Sequence, residues 1–332
     1  MAHKIFGGDD NNKEGRHSLF DYFRREREEI SPDEPKVLDN PTLGSFFKLL
    51  GRKINTLLTL NLMFVFGNFP IFFVLFAVSG YPSMHSTAPY YQQYAPLLGA
   101  SYFDHSPLIA SLLGVFGIHA NITVPTVFTY ILFGLGFLLL FTFGPVNVGT
   151  TYILRSIVRE EALFMWSDFW YAIKRNVRQE FVFGILDLAI MALLGYDFLY
   201  FYMNLSGGTL IYIMFFLTFA MAIVYAMMRM YIYLMMVTFD LSIFKLLKNA
   251  LFFTILGIKR NIVALLGVVL IIAVNYTCLI LYYPLGVILP FILMFSVGGL
   301  MCAYAAYPKI KEIMIDPYYT KAQNPPKEST ST

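Results

Sequence analysis

Charge is scarce in this chain, and over one long stretch positive charge is missing altogether. Only 14% of the 332 residues are charged, and no lysine or arginine stands between Lys53 and Arg155. A soluble domain carries about a quarter charged residues. That class is excluded, and a hydrophobic fraction of 58% with a mean hydropathy of +0.62 points to a membrane chain instead. The net charge of +3 is small and the basic residues sit beside apolar runs, which excludes a nucleic-acid partner. Cysteine is nearly absent. Cys278 and Cys302 fall toward opposite ends of successive apolar runs, so no disulfide is expected and both read as small apolar residues.

Catalytic signatures are missing too. There is no GxxxxGK[ST] phosphate loop, no HExxH, no GxSxG and no glycine-rich dinucleotide fingerprint. His85, His105 and His119 show no HxH or HxxxH spacing, so no metal site is expected. The chain is therefore expected to be non-enzymatic and without a cofactor. No apolar stretch follows Met1, so no cleaved signal peptide is expected.

The stretch that is present and organises the rest is Gly144–Phe181. It separates two apolar runs and carries Arg155, Arg159, Lys174, Arg175 and Arg178, with both tryptophans of the chain, Trp166 and Trp170. Basic residues stay on the cytoplasmic side and tryptophan favours the headgroup layer, so the segment reads as an elbow on the inner membrane surface. A helix is expected from Ser167 as N-cap, with Phe169, Trp170, Ile173 and Val177 on one side and the cations on the other.

Six spans follow from runs long enough to cross about 30 Å of hydrocarbon. They are Ile54–Gly80, kinked at Pro70; Val124–Val148, ending in a Pro145–Asn147 turn; Phe181–Met203; Thr209–Thr238; Ile262–Leu281; and Gly286–Tyr307. The fourth is longer than a bilayer needs, so its last turns with Arg229 are expected to tilt or emerge into the cytoplasm. The Lys- and Arg-free aromatic loop 81–122 is expected outside, with apolar Pro107–Ile118 too short to cross. Phe239–Lys248 forms a second inner-surface element, capped by Asp240 or Ser242 and carrying Lys245 and Lys248. Residues 1–45 and 316–332 are polar tails, the first with a possible short helix at Leu19–Ile30. The expected fold is all-α: a polytopic six-span helical bundle in a plasma membrane, with amphipathic inner-surface helices and both termini cytoplasmic. Ile-Lys-Arg-Asn occurs at Ile173–Asn176 and Ile258–Asn261, before two outward-going spans. Either duplicated hairpins or the common need for a basic helix entry accounts for it.

Ionisable groups inside a membrane are costly and mark candidate sites. Asp187 and Arg229 fall where adjacent antiparallel spans would let them pair, and Asp197 lies nearer the outer end. Asn61, Asn68, Asn147 and Asn275 either line a polar path or join helices by hydrogen bonds.

At the elbow, Gly144-Pro145, Thr151-Tyr152, Leu154-Arg155, Val158-Arg159-Glu160-Glu161 and Ser167-Asp168-Phe169 resemble the YesL family of bacterial integral membrane proteins. Phe239-Asp240-Leu241-Ser242 with Leu246–Leu251 adds a second block, and Gly51-Arg52-Lys53 with Leu60-Asn61-Leu62 a third. The resemblance covers roughly residues 45–315 and implies a membrane bundle with no established activity. It also implies the company of sugar-uptake and sugar-responsive signalling systems. The expected function is a non-enzymatic accessory component of carbohydrate uptake or sensing. Its partners would be the lipid bilayer and sugar-uptake transporter or signalling proteins, met through Trp166, Trp170, Lys174, Arg175, Arg178, Lys245 and Lys248. The alternative is a small solute transporter or permease-like subunit with a polar path through Asp187, Arg229 and the asparagines. Glu160-Glu161-Ala162 resembles the start of a permease coupling loop, without its glycine or Leu-Pro.

Overall fold

In hydrocarbon every backbone N–H and C=O must be satisfied within the chain, so apolar runs of this length fold as helices. The computed structural model describes residues 41–89 and 119–317. Leu19–Ile30, Pro107–Ile118 and the C-terminal tail from residue 318 lie outside the described residues. The described part is an all-α polytopic membrane protein with one short two-stranded ribbon. Among the described residues five helices are long and apolar enough to cross a bilayer, or six if a bent pair, Leu43–Arg52 with Ile54–Gly67, counts as one.

Contacts divide the chain into two compact units, Met1–Gly67 with Phe143–Thr332, and Asn68–Thr142. In the smaller unit, α3 (Pro70–Val78) packs on α4 (Val127–Gly136). Thr126 and Thr129 form a capping box at the start of α4, and both hydroxyls donate to the Pro82 carbonyl. β1 (Met84–Pro89) pairs antiparallel with β2 (His119–Val124), Met84 opposite Val124.

The larger unit begins with α1 (Leu43–Arg52), which turns through 77° into α2 (Ile54–Gly67). It continues with α5 (Leu139–Val158, from Phe143 onward), α6 (Met165–Met203), α7 (Thr209–Thr238), α8 (Ile243–Leu256) and α9 (Ile258–Leu281). α10 (Tyr283–Leu289) runs through a π-turn at Pro290–Met294 into α11 (Phe295–Ile310), and a second π-turn follows at Lys311–Ile315. α7 is the centre of this unit, packed by α6, α8 and α11. Seven consecutive residues, Tyr231 to Val237, are buried on all sides of the helix. Its other half, with Leu210, Phe216 and Met221, is exposed on the outside of the bundle.

Several expectations change here. The last turns of α7 are enclosed by surrounding helices, and Arg155 Nη1 donates to the Val237 carbonyl at 2.7 Å near its C-terminus. The first expected span is two helices, α2 and α3, broken at Asn68–Phe69 with Pro70 in the first turn of the second. The Pro145–Asn147 turn is helical instead, with Pro145 inside α5. Inside a bundle, neighbouring helices can absorb the missing donor. The elbow helix starts at Met165 rather than Ser167, where Asp168 Oδ2 accepts the Phe164 amide at 2.9 Å. It runs unbroken into the third span as one helix of 39 residues, because no glycine or proline stands between Ser167 and Phe183. Its faces also differ from the simple stripe: Phe169 and Ile173 pack on Val146, whereas Trp170 and Val177 are exposed. The second inner-surface helix runs to Leu256, and Ser242 stands at its N-cap without a side-chain cap bond.

A π-turn leaves backbone carbonyls without their usual partners. Pro290, which has no N–H, starts the one between α10 and α11. Asn61 satisfies it from α2: its Nδ2 donates to the carbonyls of Pro290 and Phe291, both at 2.8 Å, and its Oδ1 accepts the Ser296 amide at 3.0 Å. Replacing Asn61 by leucine keeps the volume but orphans three buried groups. A loss of about 3 kcal/mol or more is expected at about 1–3 kcal/mol per group. The melting temperature of the detergent-solubilised variant checks this; an unchanged value would mean that Asn61 only fills space.

Candidate functional site: a buried charge cluster on a cavity wall

Tyr225, Arg229 and Tyr233 recur every fourth residue and so share one face of α7. Opposite them, α6 presents Asp187, which is fully buried. A lone carboxylate there would cost several kcal/mol of desolvation, and four contacts offset it. Asp187 Oδ2 lies 2.8 Å from Arg229 Nε and accepts the Tyr233 hydroxyl at 2.6 Å. Oδ1 accepts the Tyr225 hydroxyl at 2.7 Å and shares Arg229 Nε at 3.1 Å. Arg229 Nη2 donates to Asn147 Oδ1 of α5 at 3.0 Å, so the cluster ties three helices together. The rings of Phe143 and Tyr233 flank the guanidinium.

The cluster forms one wall of a cavity of about 630 Å³. The polar part of the lining is Asn147, Thr150, Thr151, Tyr225, Arg229 and Tyr233. The rest is mainly apolar, including Leu194 and Phe198 of α6 and Val268 and Ile272 of α9. Thr150 is buried, and its hydroxyl has no hydrogen-bond partner among the described residues. Arg229 Nη1 likewise donates to none of the described residues. Arg229 Nη1 is thus a donor left for a bound group, whereas the Thr150 hydroxyl oxygen has essentially no exposed surface.

The other candidates lie apart from this cluster. Asp197 is ten residues further along α6, about 15 Å away along the axis. Asn61 holds the π-turn, and Asn275 donates to the Gly286 carbonyl at 2.8 Å, tying α9 to α10. Asn68 belongs to the smaller unit, where it is buried. Asn61 and Asn275 therefore join backbone rather than extend a path from Arg229. Trp166 and Trp170 stack edge to face and are exposed, as are Lys174, Arg175, Arg178, Lys245 and Lys248. Glu160 pairs with Arg52 and Glu161 with Arg159, so both elbow carboxylates are held within the chain. Among the described residues no group of three metal-ligating side chains converges; His105 lies outside them.

Sequence reasoning missed Tyr225, Tyr233 and Thr150. The four-residue spacing around Arg229 was a usable signal for the tyrosines, while nothing in the sequence marks Thr150. It also missed Glu180, a buried carboxyl group whose Oε2 has no hydrogen-bond partner among the described residues.

Comparison with curated proteins gave no match. Nor did comparison with solved structures. Residues 126–198, which include Asn147, Thr150 and Asp187 but stop short of Arg229, match the model of a family described as a protein of unknown function, DUF624.

Proposed function

We propose that this chain is a non-enzymatic, multi-pass plasma-membrane protein that binds a small solute inside its helical bundle, acting as a transporter or permease-like subunit. The observation that carries this reading is the cavity of about 630 Å³ with an unused donor of Arg229 on its wall. Its size falls within the ~300–1,000 Å³ of small-molecule sites, which are likewise mostly apolar with a few placed polar groups. The DUF624 match agrees with the YesL resemblance in pointing to a family without assigned activity. An accessory role in carbohydrate uptake or sensing is the second reading. The exposed Trp166–Trp170 pair beside Lys174, Arg175 and Arg178 favours it, since aromatic and basic residues anchor partner or lipid contacts.

The two readings separate by mutation. Gly298 lines the cavity, and a Cβ there meets only Val268 at 3.8 Å, so Gly298→Leu fills space without displacing backbone. In a strain whose phenotype depends on this chain, Gly298→Leu is expected to abolish function while membrane levels hold. Trp166→Leu with Trp170→Leu is expected to leave it intact. The opposite pattern would replace the transport reading with accessory docking.

The basic elbows put both termini in the cytoplasm under the positive-inside rule. With Cys278 and Cys302 replaced by alanine, a cysteine at Ser206 is expected to react with an impermeant thiol reagent in intact cells, and one at Ser167 to react only after lysis. The reverse labelling would invert the orientation.

A further inference from the structure

We propose that the cavity takes a single-chain amphiphile, with an apolar tail and an oxygen-acceptor head group, that enters sideways from the bilayer. The inference rests on the ligand-binding reading above and specifies its ligand class. Three observations carry it.

The first is the mouth. Met191, Ile272 and Phe295 line the cavity and yet are 44%, 49% and 45% exposed, so the cavity opens beside them. Met191 lies twelve residues from the end of α6 at Met203, and Ile272 nine from the end of α9 at Leu281. At 1.5 Å per residue those are depths of about 18 and 13 Å. Half of a ~30 Å hydrocarbon core is about 15 Å, so the opening faces lipid tails.

The second is the wall. A sugar carries a hydroxyl on nearly every carbon and needs a polar partner for each when buried. Here the hydroxyl, amide and guanidinium groups all come from α5 and α7, while α6 and α9 contribute apolar lining, with Leu194, Phe198, Leu265, Val268 and Ile271 among it. A molecule that is polar at one end and apolar along its length matches this division.

The third is the head site. Asp187 already accepts from Tyr225, Tyr233 and Arg229, so it offers little to a ligand. Among the described residues Arg229 keeps Nη1 unused, and 29% of its side chain is exposed. A guanidinium can only donate, which selects an acceptor such as a carboxyl or ester oxygen.

The test uses the full chain in lipid nanodiscs and palmitic acid bearing a mid-chain diazirine. Cross-linking is expected on peptides containing Met191–Phe198 or Val268–Ile272, and Gly298→Leu is expected to reduce it at least about tenfold with melting temperature retained. Excess palmitate or monopalmitoylglycerol should compete, and so separate a carboxylate from an ester head. Hexadecane, which has no acceptor, should compete about tenfold less well. Equal competition by hexadecane would overturn the role of Arg229. Protection by glucose in place of palmitate would overturn the amphiphile while leaving a ligand site in the cavity. Labelling unaffected by Gly298→Leu, with no protection by any solute, would remove both the amphiphile and the ligand-binding reading.

Discussion

Arg229→Gln alone is expected to lose about 3–5 kcal/mol, because Asp187 is fully buried and would keep its charge without a countercharge. Asp187→Asn is expected to cost a similar amount, leaving the Arg229 guanidinium uncompensated with Tyr225 and Tyr233 turned toward a weaker acceptor. The double replacement should recover most of the loss, since two neutral amides can still hydrogen-bond each other and the tyrosines. Monodisperse yield in detergent and the melting temperature measure all three proteins. Losses that simply add would mean that the two residues do not interact. Function supplies an independent readout. If the double variant folds but no longer supports the phenotype, the pair serves the ligand as well as the fold.

The second large effect is expected where α5 crosses α6. A Cβ on Gly144 would run into the backbone carbonyl of Glu180, with the Gly184 Cα at 3.1 Å. A Cβ on Gly184 would meet the Gly144 Cα and amide nitrogen. Neither obstacle is a flexible side chain, so the helices must separate. Small residues permit this kind of close approach between membrane helices. Gly144→Ala and Gly184→Ala are each expected to cost about 3 kcal/mol or more, and leucine at either position to prevent folding. Gly195 is the control, since nothing lies within 4 Å of its Cβ position. There alanine should be neutral or stabilise by about 0.5–1 kcal/mol through helix propensity. Thermal denaturation of the three alanine variants decides the matter, and equal values for all three would remove the crossing from the account.

The crossing also places the site. Gly144 and Gly184 each stand three residues before a member of the cluster, Asn147 and Asp187; the two helices are antiparallel, so these side chains flank the crossing on either side and the Arg229 guanidinium reaches both. A glycine in a membrane helix is common, and its spacing in one helix does not disclose which glycine of another it will meet. That pairing is a property of the packed bundle.

By itself the sequence determined the membrane class, the existence of most of the spanning helices and the rarity that makes Asp187 and Arg229 notable. Each follows from one-dimensional quantities: apolar run length against bilayer thickness, and the cost of charge in hydrocarbon. It left the helix ends at the elbow and the break at Asn68–Phe69 to be settled by structure, because backbone groups freed by proline can be satisfied by neighbours far away in the chain, as Asn61 does for Pro290. It also left open what surrounds the end of α7, since an apolar run surrounded by protein and one surrounded by lipid have the same composition. Only the tertiary structure decided that Tyr225, Arg229 and Tyr233 converge with Asp187 and Asn147, and that Thr150 is left without a partner. It alone showed a cavity beside them. Convergence depends on which faces of α5, α6 and α7 are turned toward one another, and that rotation is set by side-chain packing over the whole bundle rather than by any single segment.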